Sequence, residues 1–187
     1  MTLAQSQTAD KSAQIENAST ELLQLVRDAA SHGDSLYDTE KKILGKVLRM
    51  GRVAVDLMLE LQGDGDLGET LETEDGRTLF RSEKPANRPL RTVFGEHCFA
   101  AYTYAPGPKK KIELRPIDAR LNLPSGKCSY VLEEFSQFFC VEQAFGQSAD
   151  AMEKVFAQKI SVDTLEQMNQ RVGEQAEKYL DSLPTPP

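Results

Sequence analysis

The stretch RPLRTVFGEHCF, from Arg88 to Phe99, decides the fold because the hydrophobic pattern changes here from helical to strand-like. Gly95 stands between two runs rich in Thr, Val and Phe, as is typical of a β-hairpin whose turn uses the conformational freedom of glycine. The runs RTLFRSE, LRTVF, HCFAAYTY and KIELRPI have similar compositions and are separated by turn-forming segments. Together they predict a basic, antiparallel β-meander over residues 77–124.

Helical patterns precede this meander and predict an N-terminal helical region over residues 19–62. The longer of its two helices follows Asp38, the predicted N-cap, and carries a wide apolar stripe through KKILGKVLRMGRVAVDLMLEL. Residues 1–18 lack periodicity and are predicted to be disordered. Residues 63–76 contain six acids and no base, and they predict an acidic, glycine-rich loop.

A second helical region is predicted over residues 125–183, so the fold class is α+β. Its last two helical patterns meet at KIS, with Ser161 as the cap of the final helix. Two helices joined by a short turn have the outline of a helix-turn-helix. Residues 184–187 predict the start of a proline-rich linker.

The charge of the chain is unevenly distributed. The net charge is −7, yet residues 77–127 hold eleven Lys and Arg against four Asp and Glu. Such a basic region inside an acidic protein indicates an anionic partner, and a polymer such as DNA fits it. The alternative is that these charges protect strand edges and keep the chain soluble.

The basic residues that we expect to contact DNA share one property, which is their position on or beside the predicted strands and turns. They are Arg77, Arg81, Arg88, Arg91, Lys109, Lys110, Lys111 and Arg115. For Arg91 a second interpretation stays open, because it shares a strand face with Val93 and would then be half-buried and structural.

The final helix offers polar side chains suited to base edges, namely Gln167, Asn169, Gln170 and Arg171. Helix packing or dimerisation is the alternative interpretation, since Asp163 and Glu174 would repel the DNA backbone.

His97 and Cys98 are adjacent, but neighbouring side chains on a strand point to opposite faces, so we expect neither a shared metal ion nor a catalytic pair. One should face the core and the other solvent. The three cysteines fit neither a disulfide framework nor a zinc knuckle. With no catalytic motif, we expect no enzyme activity, no metal and no cofactor. The lack of a signal or membrane-spanning sequence predicts a cytoplasmic protein without a membrane partner.

The order of these features resembles the N-terminal portion of bacterial ISKra-family insertion-sequence transposases over residues 39–187. The resemblance is carried by R-x-L-R-T-V-F-G, by a Tyr-containing strand after the turn, and by P-I-D-A-R-L-N-L-P followed by a serine-led helix. It implies a protein of DNA transposition that recognises the ends of a mobile element through helices, a zinc-ribbon-like hairpin and a helix-turn-helix. Only Cys98 lies in the matching hairpin, without the cysteine pairs of a zinc site.

In that family a catalytic RNase H-like domain follows the proline-rich stretch matching LPTPP, so magnesium is expected only for that missing domain. The expectation is therefore a truncated transposase that binds DNA and is not catalytic by itself. It could form homo-oligomers or mixed oligomers with a full-length transposase. The alternative is a helical homodimerisation or interaction module that does not bind DNA and interferes with the full-length enzyme.

Overall fold

The computed structural model of the chain describes the backbone of residues 3–183 and the side chains of residues 10–183. That part of the chain forms six helices and two small antiparallel sheets, which confirms the predicted α+β class. It divides into two compact units, Met1–Lys127 (unit 1) and Cys128–Pro187 (unit 2).

Unit 1 begins with two long helices, α1 (Leu3–His32) and α2 (Leu36–Leu61). The prediction of disorder over residues 1–18 is wrong from Leu3 onward, while its first two residues lie outside the described part of the chain. The sequence of α1 has no glycine or proline to interrupt a helix. Lys11 also contacts Glu60 of α2 at 2.8 Å, so tertiary packing supports a segment whose periodicity is weak.

The N-cap of α2 is Ser35, whose hydroxyl accepts a hydrogen bond from the backbone N–H of Asp38 at 3.1 Å. The prediction of Asp38 as the cap is therefore wrong by three residues. Its carboxylate stands in the first turn, where it interacts favourably with the helix dipole.

The strands form two separate sheets instead of the single meander predicted over residues 77–124. One sheet has the order β1-β2-β5, and the other is the hairpin β3-β4. Their bounds are β1 Thr70–Glu72, β2 Thr78–Arg81, β3 Ala86–Thr92, β4 Gly95–Ala101 and β5 Tyr104–Ala105. β1 falls in the predicted acidic loop and pairs with β2, and a short helix, α3 (Pro116–Arg120), lies in the predicted meander.

The β3-β4 hairpin has the predicted two-faced character. Gly95 pairs with Thr92 at the turn and has a φ of 127°, a conformation that favours glycine. His97 is buried and Cys98 is exposed, which confirms that adjacent side chains of this strand point to opposite faces.

Unit 2 consists of three helices, α4 (Tyr130–Glu142), α5 (Phe145–Phe156) and α6 (Val162–Ser182). Ser161 caps α6 as predicted, accepting a hydrogen bond from the Thr164 N–H at 3.2 Å. The core contains Leu132, Met152 and Leu165, one from each helix. The predicted proline-rich linker, residues 184–187, lies outside the described residues.

Arg88 on β3 is buried and makes the most extensive polar contacts in unit 1. Its Nε donates to the Asp118 carboxylate at 3.0 Å, and its Nη2 donates to the carbonyls of Pro124 at 2.7 Å and Gly126 at 3.0 Å. The prediction that Arg88 contacts DNA is wrong, because only 6% of the residue is exposed and its donors face protein acceptors.

Replacing Arg88 should destabilise unit 1 strongly. In Arg88→Ala the Asp118 carboxylate and two carbonyls lose their donor, and removing one partner of a buried ion pair costs about 3–5 kcal/mol. Urea unfolding followed by circular dichroism measures the loss. Arg77→Ala, which removes an exposed guanidinium from the neighbouring sheet, is the matched control and should change stability little. Equal effects of the two substitutions would contradict a structural role for Arg88.

Candidate nucleic-acid interface

Arg77 lies on the surface but is paired within the protein. Its Nε is 2.6 Å from the Asp75 carboxylate, and its Nη1 is 2.8 Å from that of Glu113. Hydrogen bonds from the Thr73 hydroxyl and from Arg77 lower the pKa of Asp75 to about 2. Asp75 is therefore ionised at neutral pH, and the charge of Arg77 is largely compensated.

Arg81 and Arg91 are also paired. Arg81 forms an ion pair with Asp66 and lies over the ring of Tyr102, 4.7 Å from its centroid. The backbone N–H of Gly68 and then the Arg81 guanidinium lower the pKa of Asp66. Arg91 pairs with Glu96, its register partner across the hairpin, and is half-buried. The position of Arg91 therefore supports the structural interpretation.

The cations that remain for a ligand are gathered in the loop between β5 and α3. Lys109, Lys110 and Lys111 are exposed, and among the described side chains none of them has a carboxylate oxygen within 4.0 Å. Arg115, just before α3, makes a long ion pair with Asp118 at 3.9 Å, and its side chain is partly exposed to solvent.

Three neighbouring clefts join these cations to the hairpin. Lys111 and Arg115 line the first cleft, and Arg115 and Lys127 line the second. Lys127 also lines the third, a cleft of about 650 Å³ that contains Arg52 and Arg91. Because adjacent clefts share a lining cation, they form one continuous feature, which we call the basic groove. Its lining cations are Arg52, Arg91, Lys111, Arg115 and Lys127. We include Lys109 and Lys110 with them, which precede Lys111 in the same loop and line a separate cleft. Carboxylates also line the groove, namely Asp56, Glu96, Glu113 and Asp118.

Arg52 and Lys127 are groove residues that the sequence interpretation missed. Arg52 lies within the long N-terminal helix, and Lys127 follows a turn. No local sequence pattern therefore connects either residue with the hairpin. In the part of the chain whose side chains are described, neither has a carboxylate within 4.0 Å. The excess of Lys and Arg over residues 77–127, which includes Lys127, is the only feature of the sequence that points to either residue.

Arg52 and Arg91 meet because His97 holds the hairpin on α2. The Nδ1 of His97 donates to the Asp56 carboxylate at 2.7 Å, and its Nε2 is 2.9 Å from the Thr92 hydroxyl. The order hydroxyl, imidazole, carboxylate is that of a serine-protease triad. Here, however, Thr92 is buried and accepts a hydrogen bond from the Phe94 N–H at 3.1 Å, so its oxygen holds the turn.

The four predicted base-reading residues of α6 separate into two pairs. Asn169 donates to the Ser136 hydroxyl at 3.3 Å and to the Leu165 carbonyl at 2.9 Å, and Arg171 is paired with buried Glu133. Both side chains bind groups within unit 2, and their role in reading bases stays a prediction. Gln167 and Gln170 are exposed.

The charge of unit 2 differs in sign from that of the basic groove. Residues 128–187 contain four Lys and Arg against ten Asp and Glu, a net charge of −6. An excess of that size disfavours the approach of a phosphate backbone. Phosphate contacts are therefore expected in unit 1.

Comparison with known proteins found no family model that matches the chain and no matching curated protein. Within the described residues, His, Cys, Asp and Glu do not gather in groups of three or more that could hold a metal ion. No helix in that part of the chain is both long and apolar enough to cross a membrane.

His97→Phe should weaken the joint between the hairpin and α2. The ring is nearly isosteric but leaves Asp56 without its donor, and a lost buried hydrogen bond to a charged group costs about 1–3 kcal/mol. Thermal unfolding measures this loss. The neighbouring exposed position gives the control, since Cys98→Ser should leave the melting temperature nearly unchanged. A His97→Phe variant as stable as the parent would show that the joint does not depend on the imidazole.

Proposed function

We propose that this chain is the DNA-binding N-terminal portion of an insertion-sequence transposase and that it recognises the ends of the element. The observation that carries the DNA-binding part is the basic groove, where Arg52, Lys111 and Lys127 line adjoining clefts without a carboxylate oxygen within 4.0 Å among the described side chains. The resemblance of residues 39–187 to ISKra-family transposases supports the assignment to transposition.

In this proposal the groove supplies affinity through phosphates and little sequence preference. Five of its cations lack a carboxylate within 4.0 Å among the described side chains: Arg52, Lys109, Lys110, Lys111 and Lys127. Arg91 and Arg115 would position the backbone while keeping their protein partners. Backbone contacts of this kind fix the register of a protein on a duplex.

Sequence preference is assigned to α5 and α6, used as a helix-turn-helix. Gln167 and Gln170 are exposed on α6, and glutamine amides can bind adenine in a bidentate manner. The zinc-ribbon-like hairpin implied by the family resemblance is assigned to β3-β4 in a form held by His97 instead of by a metal. His97 then acts in holding the groove together and not as a ligand.

Removing charge from the lysine loop should reduce both the affinity for DNA and its salt dependence. With five phosphate contacts, log affinity falls against log salt with a slope of about −4.5. Replacing Lys109, Lys110 and Lys111 by Gln should change the slope to about −2. Titration of a fluorescent 30-base-pair duplex at several salt concentrations measures both quantities.

The matched control changes the same amount of charge in unit 2. Lys154, Lys159 and Lys178 are exposed, and their replacement by Gln should leave the slope near its parental value. If both triple variants lose affinity equally, the groove is not the interface. Binding that does not depend on salt would overturn the proposal entirely.

The α6 assignment predicts a different effect. Replacing Gln167 and Gln170 by Ala should lower the ratio of affinities for an element-end duplex and a scrambled duplex by at least about thirtyfold, since each of the two base contacts contributes about 1–3 kcal/mol. The salt slope should stay the same, because neither side chain is charged. Parallel titrations of the two duplexes measure this ratio, and an unchanged ratio would remove α6 from sequence recognition.

A further inference from the structure

An apolar line runs along α2 on a face that the rest of unit 1 leaves open. Lys46 and Glu60 of α2 contact Glu21 and Lys11 of α1, whereas Asp56 contacts the hairpin through His97. Between these two faces lie exposed apolar side chains, which we call the α2 seam. They are Tyr37, Leu44, Val47, Ala54, Met58 and Leu61.

The spacing of the α2 seam is that of a coiled-coil interface. From Leu44 onward its members recur after three, seven, four and three residues, and Gly51 occupies the position that divides the interval of seven. This is the a and d pattern of a heptad, which favours packing against another helix. The ring of Phe94 lies over Gly51, at the place where a β-carbon would stand. It therefore fills the gap that glycine would leave in the apolar line.

The exposed area is that of a small dimer interface. Five seam side chains are between 42% and 65% exposed, as are Leu23 and Val26 on α1. Because Glu21 meets Lys46 in the antiparallel pair, Leu23 lies at the level of Leu44. Half-exposed side chains of this size present on the order of 100 Å² each, giving roughly 700 Å² per copy against about 800 Å² per partner in a standard interface.

The charge around the seam favours a second copy of the same chain over a charged partner. Residues 20–50 contain five Lys and Arg and five Asp and Glu, whereas the whole chain has a net charge of −7. Two copies that meet through this segment therefore do so without net charge repulsion between the two segments. A two-fold axis needs a surface that complements itself, and a neutral, regularly spaced apolar line meets that need.

We propose that the α2 seam, with Leu23 and Val26 of α1, is a homodimer interface at which two helical hairpins form a four-helix bundle. The dimer forms without DNA, since the basic groove and the seam use different side chains. It would place two basic grooves in one assembly.

The test is the mass of the full chain in solution without DNA, measured by sedimentation equilibrium from 1 to 100 µM. We expect reversible monomer–dimer association for the parent chain. The double variant Leu44→Gln with Val47→Gln should be monomeric over this range, with an unchanged helical circular-dichroism signal. The matched control, Val131→Gln with Val141→Gln, changes two valines of unit 2 that are at least as exposed and should still dimerise.

A monomeric parent chain at 100 µM would overturn the proposal, as would a double variant that dimerises like the parent. If the double variant loses its helical signal, Ala54→Glu takes its place, because an exposed alanine leaves no cavity and the new charges would face each other across the two-fold axis. An Ala54→Glu variant that dimerises normally would overturn the proposal. Loss of DNA binding with intact dimerisation would count only against the proposed function.

Discussion

The buried guanidinium of Arg88 is the constraint on which the arrangement of unit 1 depends. It joins strand β3 to Asp118 of α3 and to two carbonyls of the segment that follows α3. A desolvated charge is stable only when its donors are satisfied, so these segments cannot move apart without exposing an unpaired ion. The carbonyl of Lys127, at the end of the same segment, accepts a hydrogen bond from the Arg91 N–H at 2.6 Å, which extends the connection along β3.

This constraint also determines where the positive charge of the hairpin region is available. The arginines on or beside the strands are neutralised by carboxylates of the acidic segment, of α3 and, for Arg91, of the hairpin itself. The lysines of the β5-α3 loop have no such neighbours among the described residues and stay exposed. The acidic segment therefore forms ion pairs with the arginines of the neighbouring basic segment. Within the described part of the chain the lysines stay unpaired, and their long, flexible side chains suit phosphate contacts.

The sequence predicted the features that depend on local periodicity and missed those that depend on distant partners. Helix α2, the cap at Ser161 and the opposite orientations of His97 and Cys98 follow from spacing alone. By contrast, β5 pairs with β2 although the whole β3-β4 hairpin lies between them in the sequence, so the prediction of a consecutive meander was wrong.

The errors at the candidate interface have the same origin. Arg88 and Asp118 are 30 residues apart, and His97 and Asp56 are 41 apart. No local sequence pattern connects the two members of either pair. Burial of a charged residue is uncommon, so an exposed arginine was the natural expectation until its partner was known.

The joint between the hairpin and α2 gives both proposed surfaces their geometry. At Gly51 a side chain would collide with the ring of Phe94, so the turn can rest on the helix only where glycine stands. The next residue, Arg52, lies against Gly95, with its Cδ 3.5 Å from the place of a β-carbon there. The same close approach therefore puts Arg52 beside the start of β4, in the cleft that Arg91 also lines, and brings Phe94 into the apolar line of α2. Because Arg52 of the basic groove and Gly51 in the line of the α2 seam are adjacent residues at this contact, a shift of the hairpin would alter both surfaces.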